Sequence, residues 1–305
     1  MHIIIQDKTR AKEFAAIFRG IKTFVDDINI SFIKGISGIS GGGMYVQSMD
    51  SSHVMLMEIS LPENWFDKYE VSKPVTLGLK SALLRTIMSA HETSTRIEWL
   101  HDAEKGDDKM EIRFNTGTIE KDSSSSSLTS SSSSSSYNKV FEIPLIDIDA
   151  ETLNIPHTDY VAEITLLSEK FNELISEFSN FGDTLHVEIS EEAIFFSAKS
   201  PESGSMKVQI DMDEIDAFSI QEGESVSASF SLRYLKNIAT FYRTSKQITL
   251  AISAGIPMRL SYPLVHNQQN ASDSEEKEGE EATTTAIQGI HFFLAPKLDD
   301  NDDDD

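Results

Sequence analysis

Eight histidines lie scattered along the sequence, with no spacing that would build a metal site or a nucleophile–base pair. The paired carboxylates fall on strand-like or tail segments rather than beside a histidine, as an acid–base site would need. Cysteine is absent, which removes disulfides and thiolate zinc sites as ways of holding the fold. The glycine-rich stretch Gly35–Gly43 (GISGISGGG) is not followed by Gly-Lys-Ser/Thr, so it reads as a hairpin loop and not as a phosphate cradle. These patterns predict neither an enzyme nor a bound cofactor or metal.

The remaining chemistry is charge. The net charge of −24 speaks against a nucleic-acid partner until the acids are located. Residues 273–281 and 299–305 together supply −11 of it. Four segments, about 9–21, 79–90, 169–180 and 231–242, show a helical period. Their apolar stripes are Phe14, Ile17, Phe18 and Ile21; Leu83, Leu84, Ile87 and Met88; Phe171, Leu174, Ile175 and Phe178; and Leu232, Leu235, Ile238 and Ala239. Opposite the first stripe lie Lys12, Arg19 and Lys22. Arg85 flanks the second stripe, and Arg233 and Lys236 sit opposite the fourth. The third helix carries Lys170 together with Glu173 and Glu177. One helix with outward charges is ordinary. Bases on three of four such faces, in a chain with nearly twice as many acids, point to an anionic partner.

The elements that position these faces repeat. The third helical segment starts 160 residues after the first and the fourth 152 after the second, so two halves share one layout of helix, strands, helix, strands. Short, partly alternating runs at 54–59, 96–100, 109–114, 185–189, 193–196 and 247–252 are rich in β-branched or aromatic residues and read as strands. Residues 122–136, nearly all serine, and the acidic 266–286 are too polar to fold alone and are expected to be disordered loops. The start has no secretory pattern, and no apolar run reaches bilayer length, so an intracellular protein without a membrane partner is expected.

Several blocks then carry a specific likeness. Val46–Val54 (VQSMDSSHV) closely resembles the corresponding strand and turn of the proliferating cell nuclear antigen (PCNA) family of DNA sliding clamps. Trp65–Tyr69 (WFDKY), Leu145–Pro156 (LIDIDAETLNIP), Phe181–Asp183, Ser231–Leu235 (SLRYL) and Phe293–Leu298 (FLAPKL) follow in the family's order. The resemblance implies an α+β clamp fold of two topologically similar domains, with outer antiparallel sheets, inner helices and a trimeric ring. It places an N-terminal clamp domain at 1–142, an interdomain connector at 143–159, a C-terminal clamp domain at 160–298 and an acidic tail at 299–305. The implied function is a processivity factor for DNA polymerase, acting in the nucleus or at a viral replication site. The implied partners are double-stranded DNA held without sequence readout, DNA polymerase, a clamp loader and PIP-box-type peptides; a homotrimer is expected. A subunit of a heterotrimeric specialised or checkpoint-type clamp is the alternative.

Residue by residue, the resemblance turns Lys12, Arg19, Lys22, Arg85, Lys170, Arg233 and Lys236 toward DNA. It lines a partner-peptide groove with Met49, His53, Val54, Leu56, Leu153, Ile155, Pro257, Phe293, Leu294, Ala295 and Pro296. Taken alone, His53 reads as a hydrogen-bonded structural histidine. The subunit contact is expected where a strand at Tyr137–Ile143, with Tyr137, Lys139 and Phe141, meets one near Gly204–Asp211, with Met206, Val208 and Ile210. Pro144 is expected to end the first of these strands. The family's modified lysine is replaced by Glu191, the third helix shows Glu173 and Ser176 where arginines are expected, and the connector glycine is Asn154. The insert at 266–286 is expected close to the groove.

Overall fold

The structure is a computed structural model that describes residues 1–35, 41–90, 96–102, 108–115, 138–149, 152–264 and 288–297. The serine run, the acidic insert, the tail and Tyr137 lie outside the described residues. The first half comprises β1 (His2–Ile5), α1 (Lys8–Ile21), β2 (Asp27–Ile33), β3 (Gly43–Met49), β4 (Met55–Pro62), β5 (Lys68–Glu70), β6 (Val75–Lys80), α2 (Ser81–Ala90), β7 (Arg96–Leu100), β8 (Lys109–Asn115) and β9 (Asn138–Pro144). The second half repeats that order. It comprises β10 (Ala162–Leu167), α3 (Ser168–Phe178), β11 (Thr184–Ile189), β12 (Ile194–Ser200), β13 (Gly204–Ile210), β14 (Ile215–Ile220), β15 (Val226–Ser231), α4 (Leu232–Ala239), β16 (Gln247–Ile252), β17 (Met258–Pro263) and β18 (Gly289–Leu294).

Each half builds one five-stranded and one four-stranded antiparallel arrangement. The first half orders them β5-β1-β7-β8-β9 and β6-β2-β3-β4; the second orders them β14-β10-β16-β17-β18 and β15-β11-β12-β13. Inside the chain, β18 pairs with β4 from Gly289↔Ser60 to Leu294↔Met55, which fuses two of these into a single nine-stranded sheet. Strand alternation turns Met57, Ile59, Phe292 and Leu294 inward, all fully buried, while Leu56 and Phe293 stay half-exposed on the outer face.

The helices form from the predicted apolar stripes. Phe14, Ile17, Phe18 and Ile21 of α1 are buried, as are Phe171, Ile175 and Phe178 of α3. Asp7 caps α1 by accepting a hydrogen bond from the Arg10 N–H at 2.8 Å. A buried serine stitches each helix pair. Ser81 Oγ donates to the carbonyls of Val25 and Asp26 beyond α1, and Ser168 Oγ donates to those of Tyr242 and Ser245 beyond α4. The predicted fourth helix ends at Ala239 and tightens into a 3₁₀ turn over Thr240–Arg243. There Phe241 meets Phe24 and Phe292 at ring-centroid distances of 6.2 and 5.0 Å, and it packs so closely on Gly20 that a Cβ there would lie 2.3 Å from the ring. The ends of α1 and α4 therefore touch, and the helices of both halves make one layer.

Between the halves, the chain after β9 crosses the outer face of the nine-stranded sheet. The Ile146 N–H donates to Gly78 O at 2.9 Å, and Asn29 Nδ2 donates to Ile148 O at 3.1 Å. Because β9 runs through Pro144, this crossing segment starts later than the expected 143.

Candidate functional site

Beside the crossing segment lies a shallow trough. Register places Met49 of β3 opposite Leu56 of β4, and Leu56 opposite Phe293 of β18, so these three half-exposed side chains share one cross-strand row. Gln47 holds the crossing segment over this row. Its Nε2 donates to Leu153 O at 2.9 Å and its Oε1 accepts the Leu153 N–H at 2.7 Å, so the side-chain amide pairs like a strand neighbour. Leu153 is 44% exposed, and Ile155 is half-buried. At the far end, Tyr160 donates to Pro257 O at 3.1 Å. The third wall is the β3–β4 turn with His53 and Val54, joined to Ala295 by the hydrogen bond Ala295 N–H to Val54 O at 2.9 Å. Ala295 and Pro296 are half-buried, and Pro257 is exposed.

Three expectations are corrected here. Leu294 does not line the trough: it is 0% exposed, because alternation along β18 sends it to the core while Phe293 faces out. His53 is not a bonded structural histidine; it is exposed, has a left-handed φ of 57°, and its ring makes no hydrogen bond among the described residues. The described residues that flank the insert, Leu264 and Gln288, also lie away from the trough: they border the Pro263↔Gly289 end of the β17–β18 pair, roughly 17 Å along β18 from Leu294.

Asp50 organises the turn. It is 6% exposed and accepts from the N–H groups of Ser52, Val54 and Met55 at 3.0, 2.8 and 2.7 Å, and from the Tyr234 hydroxyl at 2.7 Å. Burial pushes its carboxyl up, but these four donors outweigh that and hold it below the usual carboxylate range. Gln47 and Asp50 lie in the VQSMDSSHV block and Tyr234 in SLRYL, yet nothing in pattern or spacing marks them.

On the helix layer, Lys12, Arg85, Lys170, Arg233 and Lys236 are exposed, and Arg19 is half-buried. Lys22 lies just past α1 and is ion-paired with Asp26, so its charge is partly spent. On α3, Glu169, Glu173 and Glu177 are exposed at four-residue spacing, one acidic stripe among basic neighbours.

Strands β9 and β13 both lie at sheet edges. Lys139 is exposed, Phe141 packs on Phe114 at 5.9 Å, Met206 and Val208 are half-buried, and Ile210 is buried. Val140, which the sequence did not single out, is 55% exposed on β9. Two serine–histidine contacts, Ser229–His186 at 2.8 Å and Ser261–His291 at 2.9 Å, sit within cross-strand rows of the sheets. Glu191 is exposed and accepts from the Gly223 N–H at 2.8 Å.

Two copies of a nine-strand, two-helix unit, with sheets outside, helices in one inner layer and a crossing segment between, define the DNA-clamp fold. Residues 9–151 match the proliferating cell nuclear antigen N-terminal domain, and residues 154–271 match its C-terminal domain. Among solved structures, the chain is similar to one from the PCNA2–PCNA3 complex of Sulfolobus tokodaii, with a TM-score of 0.72 and 18% identity over 97% of this chain and 99% of that one. The chain belongs to the proliferating cell nuclear antigen family. It is a DNA sliding clamp, a replication processivity factor that works on DNA and with DNA polymerase as part of an oligomeric ring, and clamps of this family are non-catalytic scaffolds.

Proposed function

We propose that three copies of this chain join head to tail into a homotrimeric ring that encircles duplex DNA and carries partner proteins at the trough. The observation that carries the ring is the internal junction. In the repeated order, β9 corresponds to β18 and β13 to β4, and β18 and β4 are the strands that already pair inside the chain. The two free edges are therefore counterparts of a joint the sequence already makes, and repeating it between copies satisfies their open backbone groups. A first domain that ends with β9 at Pro144 and a second at 160–298, with the connector between them, fit this repeat.

Within such a ring the helix layer faces the hole. Lys12, Arg19, Arg85, Lys170, Arg233 and Lys236 meet phosphates there, with no base readout, so the ring slides. Enclosure keeps it on DNA. The trough of Met49, Leu56, Phe293, Leu153 and the 50–55 turn accepts a short peptide with a glutamine and a hydrophobic–aromatic plug, as PIP-box partners and the clamp loader present. The nucleus, or a viral replication site, is where such work is done.

The test is primer extension with a clamp loader, comparing the natural chain with one in which Lys12, Arg19 and Arg233 are reversed to Glu. Long products are expected only from the former; equal lengths would overturn the DNA-facing assignment. Sizing of the purified protein should give three times the chain mass. A lone monomer would favour a subunit of a heteromeric ring instead.

A further inference from the structure

The contact between Asp50 and Tyr234 spans 184 residues and ties the two halves together beside the trough. Asp50 comes from the first half's β3–β4 turn and Tyr234 from α4 of the second. Among its described contacts the carboxylate has no cation; its charge is met only by hydrogen-bond donors. Oδ1 takes the Val54 and Met55 N–H groups, and Oδ2 takes the Ser52 N–H and the Tyr234 hydroxyl. The Asp50 carbonyl also accepts the His53 N–H at 3.0 Å. Every amide from Ser52 to Met55 is therefore directed at one residue, and His53 is kept in a left-handed conformation that a non-glycine residue adopts only when its surroundings over-determine it.

What fixes Asp50 from outside the turn is the tyrosine. Leu232, Leu235 and Ile238 anchor α4 in the core, so the phenol is presented from a rigid element and not from a loop. We propose that Tyr234 is a positioning residue for partner binding: its hydroxyl orients Asp50, and Asp50 shapes the turn that puts His53 and Val54 on the wall of the peptide trough. This inference rests on the trough being the peptide site. Tyr234 touches no partner itself. It sits between Arg233 and the Leu235 anchor, so one short helix serves the DNA-facing side and the outer trough.

The experiment measures binding of a fluorescent peptide with a glutamine and a hydrophobic–aromatic plug to the purified full chain by anisotropy. Tyr234→Phe removes one oxygen and should weaken binding about fivefold, the scale of one hydrogen bond to a charged group only partly transmitted to the site. Asp50→Asn should weaken it at least as much. The double variant should be little weaker than Asp50→Asn, because both act on the 50–55 turn, where the Tyr234 hydroxyl meets Asp50 and Ser52. Amide exchange supplies a signature that general destabilisation would not produce: Ser52, Val54 and Met55 should exchange faster in Tyr234→Phe, while Met57–Leu61 of β4 keep their protection.

Leu56→Ala tests the trough itself. If it weakens the peptide while Tyr234→Phe binds and exchanges like the natural chain, the positioning role is refuted and the trough stands. If Leu56→Ala binds normally, the trough assignment falls and the inference falls with it. Should Tyr234→Phe fail to assemble, Asp50→Asn, which leaves α4 untouched, decides the same question.

Discussion

Gly78 lies on β6 where the crossing segment first touches the nine-stranded sheet, and replacing it with alanine should detach that segment. A Cβ there would stand 2.1 Å from Ile146 O and 3.1 Å from Cγ1 and Cδ1 of Ile148. An ordinary carbon–oxygen contact is about 3.3 Å, so the segment must retreat by roughly 1 Å. That retreat breaks the Ile146 N–H to Gly78 O bond, now 2.9 Å. Gly78 has no left-handed φ, so alanine suits its own backbone and the cost comes from the contact alone. A lost hydrogen bond of about 1 kcal/mol and overpacking of about 1–3 kcal/mol give roughly 2–4 kcal/mol in all. For a chain of 305 residues that is roughly 3–6 °C in melting temperature. Calorimetry should show the drop, and amide exchange should show Ile146 losing protection. A variant melting within about 1 °C of the natural chain, with Ile146 still protected, would refute the idea that direct backbone packing on Gly78 seats the crossing segment.

Phe241→Ala should cost about 3–5 kcal/mol in denaturant unfolding, because the ring is buried among Phe24, Tyr262 and Phe292 at the join between halves. The acid limb of stability should depend on Asp50. Its folded pKa is below the ordinary 3.8, so its contribution is complete above that value and is lost as pH falls through the lower folded value. Melting temperatures taken from pH 6 downward should fall less steeply for Asp50→Asn over that acidic range; identical slopes would count against a lowered carboxyl.

Much of the architecture is legible in the sequence because it rests on local period. The four apolar stripes predict four helices within a few residues, and runs such as Arg96–Leu100 and Gln247–Ile252 become β7 and β16 with the same ends. The duplication is legible too, since spacing between like elements survives when identity does not. Contacts between distant residues have no such signature. Nothing periodic connects Asp50 with Tyr234, or Gln47 with the Leu153 backbone. The Leu294 correction is different in kind. Strict alternation with Phe293 sends it inward, but the resemblance covers the FLAPKL block as a whole, and likeness does not separate the two faces of a strand. The basic helix faces were readable from the wheel, whereas the ion pair that occupies Lys22 depends on how the chain turns toward Asp26.

The β18–β4 joint also determines where a closed ring can give way. Six residue pairs and the Phe24–Phe241–Phe292 cluster lock the two halves of one chain, so a hinge there would have to tear sheet and core together. In the proposed ring, strands β9 and β13 would meet with only an edge to release. A gap that admits a duplex would then part neighbouring copies, and load applied by the proposed loader would travel through each subunit as through a stiff arc to the seam between them.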